Sequence, residues 1–300
     1  MASSAGLAAG IDLGGTKIET QVFDGEWRVT ARRRRPTPPT YEALVEALAE
    51  EARWAGGVVG VCAAGLVNPV TGHAYAANLP STGRPLPADV ARAAGRPVAW
   101  LNDCRALTLS EAVLGAARGL SPVAGLVIGT GVGGGLAIDG RLVAGHAATG
   151  GEFGHTAAAA HVLARHGLPV LPCGCGRTGC VETYASGPNL LRLGRLLGAE
   201  AASTEALVEA RARDPAAARA WAAWVDVLAE MMHAVAFVAD PAAWVLGGGL
   251  SRVPGVAEDL AEGLSRANLP GFRSAAVLLA EGGAEGGARG AALQALREVG

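Results

Sequence analysis

Short apolar runs broken by glycine pairs dominate the first sixty positions. Residues 7–12 form one such run, ending at Gly14-Gly15. Residues 19–23 follow, then the turn dipeptide Asp24-Gly25, then 27–31. This order predicts strand, glycine turn, strand, hairpin turn, strand. From 41 to 54 the spacing changes: Leu44 and Leu48 stand four apart, the period of a helix. Residues 58–62 and 98–101 predict two buried strands, the second delivering Asn102 and Asp103 at its end, and 108–117 predicts a helix. The opening pattern then recurs. Residues 123–128 are apolar and end in Gly129-Thr130-Gly131, Gly133 to Gly135 lead into 136–138, and Asp139-Gly140 precedes 141–143. Gly14 and Gly129 lie 115 positions apart, so the chain reads as two similar α/β halves. A long helix over 216–239 leads to a strand at 244–246 and a third cluster, Gly247-Gly248-Gly249. A strand at 275–280 and a helix at 290–297 close the pattern.

At 300 residues the chain can hold one large domain or two medium ones. Half the residues are apolar and 17% charged, which separates it from disordered chains. The net charge of −2 offers no positive field for nucleic acid or an anionic membrane. The run Arg32 to Arg35 reads as a solvated strand end or turn. No uninterrupted apolar run reaches the roughly 18 residues of a membrane span, since 221–239 carries Asp226, Glu230 and His233. The opening MASSAGLAAG lacks the basic-then-apolar order of a signal peptide, so the expected location is cytoplasmic.

Gly10-Ile-Asp12-Leu-Gly14-Gly15-Thr16-Lys17 is a tight turn after a strand. Glycines let backbone N–H groups approach phosphate oxygens, Thr16 adds a hydroxyl and Lys17 a charge. Asp12 beside a phosphate makes sense with Mg²⁺ between them; alone, the segment would equally suit a hairpin capped by Asp12. No G-x-x-x-x-G-K-[ST] string occurs. Gly129-x-Gly131-x-x-Gly134 matches the dinucleotide fingerprint formally, but Gly133 and Gly134 run into a strand and hairpin turn, not a helix. Three glycine clusters after three strands suggest a nucleotide held by Gly14, Gly15, Gly129, Thr130, Gly131, Gly133, Gly134, Gly247, Gly248 and Gly249.

Three of the five cysteines, Cys173, Cys175 and Cys180, fall within eight positions. In a reducing compartment that spacing reads as metal ligation. Zn²⁺ takes four N or S ligands, so a histidine is expected as the fourth. His155 is favoured, with His161 and His166 competing. A closed set of four makes the zinc structural. Cys62 and Cys104 sit in or beside apolar runs and read as core residues.

Asp12-x-Gly14-Gly15-Thr16, Asn102-Asp103, Glu152-x-Gly154-His155, the three-cysteine knuckle with Glu182, and Gly247 to Gly249 resemble, in this order, the motifs of the ROK sugar kinases. The resemblance spans nearly the whole chain. It implies an α/β, actin-like ATPase (ribonuclease H-like) fold of two domains around a cleft. One would be 1–117, closed by a C-terminal helix at 285–300, and the other 118–284 with the knuckle at 173–180. A finer resemblance is to the N-acetylglucosamine kinases of the family, carried by Ala76-Ala77-Asn78-Leu79-Pro80, Gly83-Arg84-Pro85-Leu86 and Gly286-Gly287-Ala288-Arg289. One departure is Ala64, where the family loop usually has proline.

The resemblance implies ATP-dependent phosphorylation of a hexose or amino sugar at its 6-hydroxyl, N-acetylglucosamine first and glucose or N-acetylmannosamine as alternatives. Asp103 would be the base, because a carboxylate in reach can take the hydroxyl proton as the P–O bond forms. Asn78, Asn102, Asp103, Glu152, His155 and Glu182 would contact the sugar, with His155 also on the zinc, and the domains would close over it. A homodimer is compatible with the family's habits. A sugar-sensing repressor would need a helix-turn-helix ahead of Asp12, for which the sequence leaves no room, and a catalytically dead binding protein fits poorly with Asp12 and Asp103 intact.

Overall fold

Three antiparallel strands, β1 (Ala8–Leu13), β2 (Lys17–Phe23) and β3 (Val29–Pro36), open the computed structural model, which describes residues 8–283 and 286–298. Residue 7 of the predicted first strand and residues 285, 299 and 300 of the expected closing helix lie outside the described residues. Helix α1 (Tyr41–Ala55) leads to β4 (Val58–Ala63), which pairs in parallel with β1. A small hairpin, β5 (Leu66–Val67) and β6 (Ala74–Tyr75), precedes α2 (Leu86–Ala94). Strand β7 (Ala99–Asn102) runs directly into α3 (Asp103–Val113). The sheet order is β3-β2-β1-β4-β7.

The same pattern repeats. Strands β8 (Val123–Ile128), β9 (Val132–Ile138), β10 (Arg141–Leu142), β11 (Ala243–Gly247) and β12 (Ala276–Leu279) stand in the order β10-β9-β8-β11-β12. Both sheets have a three-strand start followed by two parallel additions on the other side of the first strand. Between β10 and β11 come α4 (Ala160–His166), α5 (Glu182–Ala185), α6 (Gly187–Leu196), α7 (Thr204–Ala210) and α8 (Pro215–Ala239). Helices α9 (Val256–Ala267) and α10 (Gly286–Glu298) follow β11 and β12.

The chain divides into two units. One holds the described residues of Met1–Arg118, Gly140–Gly150 and Ala280–Gly300; the other holds Gly119–Asp139 and Gly151–Leu279. Gly140–Gly150 thus groups with the first unit, unlike the division at 117/118 read from the sequence. Arg105 Nη2 donates to the Gly150 carbonyl and Arg297 Nη1 to that of Gly140, which ties the segment there.

In the first unit, α10 lies against β1, β4 and α3 at backbone distance. A Cβ on Gly10 would stand 1.7 Å from the Ala288 carbonyl oxygen, and one on Gly60 2.0 Å from that of Ala291. These glycines are required by close approach. Glu111 on α3, fully buried, accepts from the N–H groups of Glu281 and Gly282, and Arg289 on α10 pairs with it.

In the second unit, α8 starts on Pro215 with the Asp214 side chain accepting from the Ala216 N–H. This helix is long and apolar enough to cross a membrane, by length and composition alone. Half of its apolar window is buried inside the protein, and Trp224 Nε1 donates to the Ala185 carbonyl, so it serves as a core helix.

Several sequence expectations shift. Helix α3 begins at Asp103, not 108, because Asn102 caps it: its Oδ1 accepts from the N–H groups of Cys104 and Arg105. Of the two readings of Arg32 to Arg35, the strand end holds and the turn does not: they form the exposed end of the edge strand β3. There Arg32 and Arg34 approach Glu19, while Arg33 and Arg35 approach Glu51. A charged edge strand resists pairing with another chain.

Candidate phosphate loops and zinc knuckle

The first glycine turn is held by its own backbone. Gly14 N–H donates to the Lys17 carbonyl, and Thr37 Oγ1 donates to the Gly14 carbonyl at 2.7 Å. A Cβ on Gly15 would stand 3.2 Å from Asn78 Cβ, so Asn78 lies directly on this loop.

Asp12 comes from β1 opposite Cys62, whose Sγ lies 3.8 Å from Asp12 Oδ1. Burial first, and the Asp103 carboxylate second, push the Asp12 carboxyl up to about 6, while Lys17 pulls the other way. A buried carboxylate with a second carboxylate near it forms a natural seat for a cation. Asp103 opens α3, and its Oδ1 accepts from the Cys104 N–H at 2.8 Å. The residue that caps α3 is Asn102, directly before it. The Asn102 amide is further engaged, since Nδ2 donates to the Gly65 carbonyl at 3.1 Å and so fixes the loop containing Ala64.

In the second unit, Gly129 N–H donates to the Gly131 carbonyl, and the Gly129 carbonyl accepts from Gly187 N–H. Glu182 Oε2 accepts from the Val132 N–H at 2.9 Å and would stand 2.8 Å from a Cβ on Gly131. Gly133 and Gly134 are strand residues of β9, not turn residues as the sequence grouping has them. A Cβ on Gly134 would meet the Gly125 carbonyl at 2.1 Å and the Phe153 ring at 2.7 Å, so packing of Phe153 on the sheet requires this glycine. Gly247 ends β11, and Gly248 has φ of 84° with its Cβ position 2.4 Å from the Ile128 carbonyl.

Gly129, Thr130 and Gly249 line one cavity of about 690 Å³ in this unit, together with Gly187, Pro188, Thr204, Glu205 and Arg252. Sequence reasoning missed these last five. The signal was present as Ser186-Gly187-Pro188, since proline at the first turn marks a helix start, here that of α6.

The knuckle is assembled by backbone pairing. Cys173 N–H donates to the Arg177 carbonyl, Ala158 N–H to that of Gly179, and Val181 N–H to that of Thr156. Arg177 Nη1 donates to the His155 carbonyl. The segment after His155 is thereby laid along the knuckle. His155, Cys173, Cys175 and Cys180 present ligand atoms all within 4.8 Å of one another. Cys175 Sγ to Cys180 Sγ is 3.7 Å, and Cys173 Sγ to His155 Nδ1 is also 3.7 Å. Tetrahedral zinc with Zn–S bonds near 2.3 Å has edges of about 3.8 Å, so the four donors fit zinc. Burial, then the neighbouring thiols of Cys175 and Cys173, push the Cys180 thiol up to about 12. Three thiolates at this spacing need a cation to coexist. The competing histidines are engaged elsewhere, His161 Nε2 at 3.0 Å from Glu230 and His166 Nε2 at 2.9 Å from Asp226.

Asp12, Asn78, Asn102 and Asp103 thus stand on the first unit, and Glu152, His155 and Glu182 on the second.

The model of the ROK family matches residues 8–298. The chain is 40% identical over 293 residues to an N-acetylgalactosamine kinase of Shewanella sp. (strain ANA-3), covering 95% of each. To an N-acetyl-D-glucosamine kinase of Escherichia coli it is 37% identical over 272 residues, 87% of this chain and 90% of the relative. Among solved structures, a ROK hexokinase from Thermus thermophilus superposes with a TM-score of 0.86 at 35% identity, covering 97% of this chain and 98% of that one. A ROK family glucokinase from Streptomyces griseus, in complex with glucose and AMPPNP, gives 0.78 at 30% identity, with 97% and 100% covered. The chain belongs to the ROK family and has its actin-like ATPase fold, with sugar kinases as relatives in both sequence and structure.

Proposed function

We propose that this ATP-dependent sugar kinase phosphorylates the 6-hydroxyl of an N-acetylated hexosamine, N-acetylglucosamine first. The observation that carries the reading is the pair Asp12 and Asp103 beside the Gly14–Thr16 loop: a carboxylate raised first by burial and then by its neighbour, next to backbone N–H groups suited to phosphate. Asp103 takes the proton of the incoming hydroxyl, while Asp12 holds Mg²⁺, which when bound neutralises charge on the phosphates. Lys17 and Thr16 add a charge and a hydroxyl to the phosphoryl group. The loops at Gly129–Gly131 and Gly247–Gly249 hold the nucleotide, and the 690 Å³ cavity they share suits its nucleoside end. Asn78, Asn102, Glu152, His155 and Glu182 meet sugar hydroxyls.

His155, Cys173, Cys175 and Cys180 hold a structural zinc. With Nδ1 on the Cys173 side, zinc ligation fixes the tautomer and leaves Nε2 to face the sugar. Reduced thiolate ligands suit the cytoplasm.

A second reading, N-acetylgalactosamine, is favoured by the 40% identity to a kinase of that sugar. Glucose, the sugar in the Streptomyces complex, is a third. The test is ATP consumption with Mg²⁺ against N-acetylglucosamine, N-acetylgalactosamine, N-acetylmannosamine, glucose and mannose, for the wild type and Asp103→Asn. The expected result is highest turnover with N-acetylglucosamine, reduced at least about a hundredfold in the variant. A preference for the C4 epimer replaces the first substrate by the second and keeps the mechanism. Equal rates in variant and wild type remove Asp103 as base.

A further inference from the structure

We propose that the first unit carries an N-acyl pocket built around Trp100 and Ser81, roomy enough for acyl groups longer than acetyl. The inference rests on the proposed function, in which Asn102 and Asp103 meet the sugar. A cavity of about 250 Å³ has Asn102 in its wall, and Trp100, two positions earlier on β7, lies on the same face of the strand. Ala63, Ala64, Leu79 and Leu86 give the cavity an apolar lining. Ser81 and Trp100 also line it, and each carries a buried polar atom with no hydrogen-bond partner among the described residues: Ser81 Oγ and Trp100 Nε1. Ser81 is fully buried.

Buried donors of this kind are rare in folded proteins unless an occupant meets them. An indole N–H can only donate, and a hydroxyl can both donate and accept. An amide matches that set: its carbonyl accepts from Trp100, its N–H donates to Ser81, and its alkyl group rests on the alanine and leucine side chains. A sugar hydroxyl in the same place would leave the apolar lining unused. Asn102, held through Gly65, links the cavity to the sugar contacts, and Ala64, with its small side chain, leaves room in the wall at that point. One water takes roughly 30 Å³ in the liquid, so the cavity is several times larger than a methyl group needs.

The experiment measures kcat/KM for glucose and for N-acetyl-, N-propanoyl- and N-butanoylglucosamine with the wild type, Trp100→Phe and Ser81→Ala. Trp100→Phe keeps an aromatic ring and removes the N–H; Ser81→Ala is the milder change should the first fail to fold. We expect the propanoyl and butanoyl sugars to stay within about tenfold of the acetyl sugar. The ratio of N-acetylglucosamine to glucose should fall about tenfold in either variant. A greater loss on adding one methylene overturns the size of the pocket. Parallel losses for both sugars make Trp100 and Ser81 structural and overturn the assignment. If the wild type turns over no sugar, the proposed function fails, and calorimetric binding of the same sugars then decides the pocket by the same ratios.

Discussion

Asp12 links burial, charge and catalysis in one side chain. Its carboxyl is raised from 3.8 to about 6 in the folded protein. Between those values the folded state holds more protons than the unfolded one, so stability falls as pH rises through about 4 to 6. At neutral pH, without a divalent cation, the buried charge costs about 3 kcal/mol by the ordinary conversion of pKa difference to free energy. Asp12→Asn is therefore expected to melt several degrees above the wild type at pH 7 and at the same temperature at pH 4, both in a chelator of Mg²⁺. It should also lose nearly all turnover. Equal melting of the two proteins at pH 7 would mean that Asp12 is ionised without cost. Catalysis with Asp12 as cation ligand should likewise fail as pH drops below about 6, and added Mg²⁺ should move that limit downward.

At the scale of elements, the joint between α3 and α10 rests on one acid. Glu111 is fully buried, with two backbone N–H groups of residues 281 and 282 and the guanidinium of Arg289 around it. Glu111→Ala is expected to cost about 3 kcal/mol, because it leaves the N–H groups of residues 116, 281 and 282 without this acceptor and takes the carboxylate from Arg289, which keeps only the Ser110 hydroxyl. A urea midpoint that does not move would show that α10 is held by its glycine contacts alone. The knuckle makes a different kind of element. Its turns are stitched by backbone bonds, yet its side chains gather three thiols that repel one another once ionised. On the proposed reading, in which the knuckle holds zinc and His155 meets the sugar, a strong chelator should raise the KM for sugar, since the His155 ring loses what orients it. An unchanged KM in the stripped protein would separate the knuckle from the sugar.

For the whole molecule, the repeated strand order makes two units with separate cores, one around Leu44, Leu48 and Val61 and the other around Trp224, Trp244 and Leu228. Trp27, Trp54 and Trp100 report the first, and Trp221, Trp224 and Trp244 the second. Chelation should lower the melting temperature of the unit that carries the four ligands and leave the other nearly unmoved. Calorimetry that resolves one chelator-sensitive transition would bear this out. A uniform shift of the whole melt would mean that the units unfold together.

The sequence by itself determined the glycine turns, the strands feeding them, the duplicated plan and the three cysteines. Each of these is written in neighbouring residues: glycine pairs after apolar runs, aspartate-glycine turns, and three thiols within eight positions. Residues 123–128 form the strand expected of them. The tertiary structure decided what depends on distant partners. Asn102 caps α3 because its side chain reaches the two N–H groups beyond it, which moved the helix start five residues. Gly134 turned out to be a packing position because Phe153 falls on it. The choice among His155, His161 and His166 was open along the chain, since proximity in sequence favoured the latter two. The structure places His155 beside the three cysteines, because the segment after it pairs with the knuckle while Asp226 and Glu230 on α8 engage the others. Trp100 Nε1 and Ser81 Oγ, without a partner among the described residues, had no signal in the sequence, because an orphan polar atom exists only once its possible partners have been placed elsewhere.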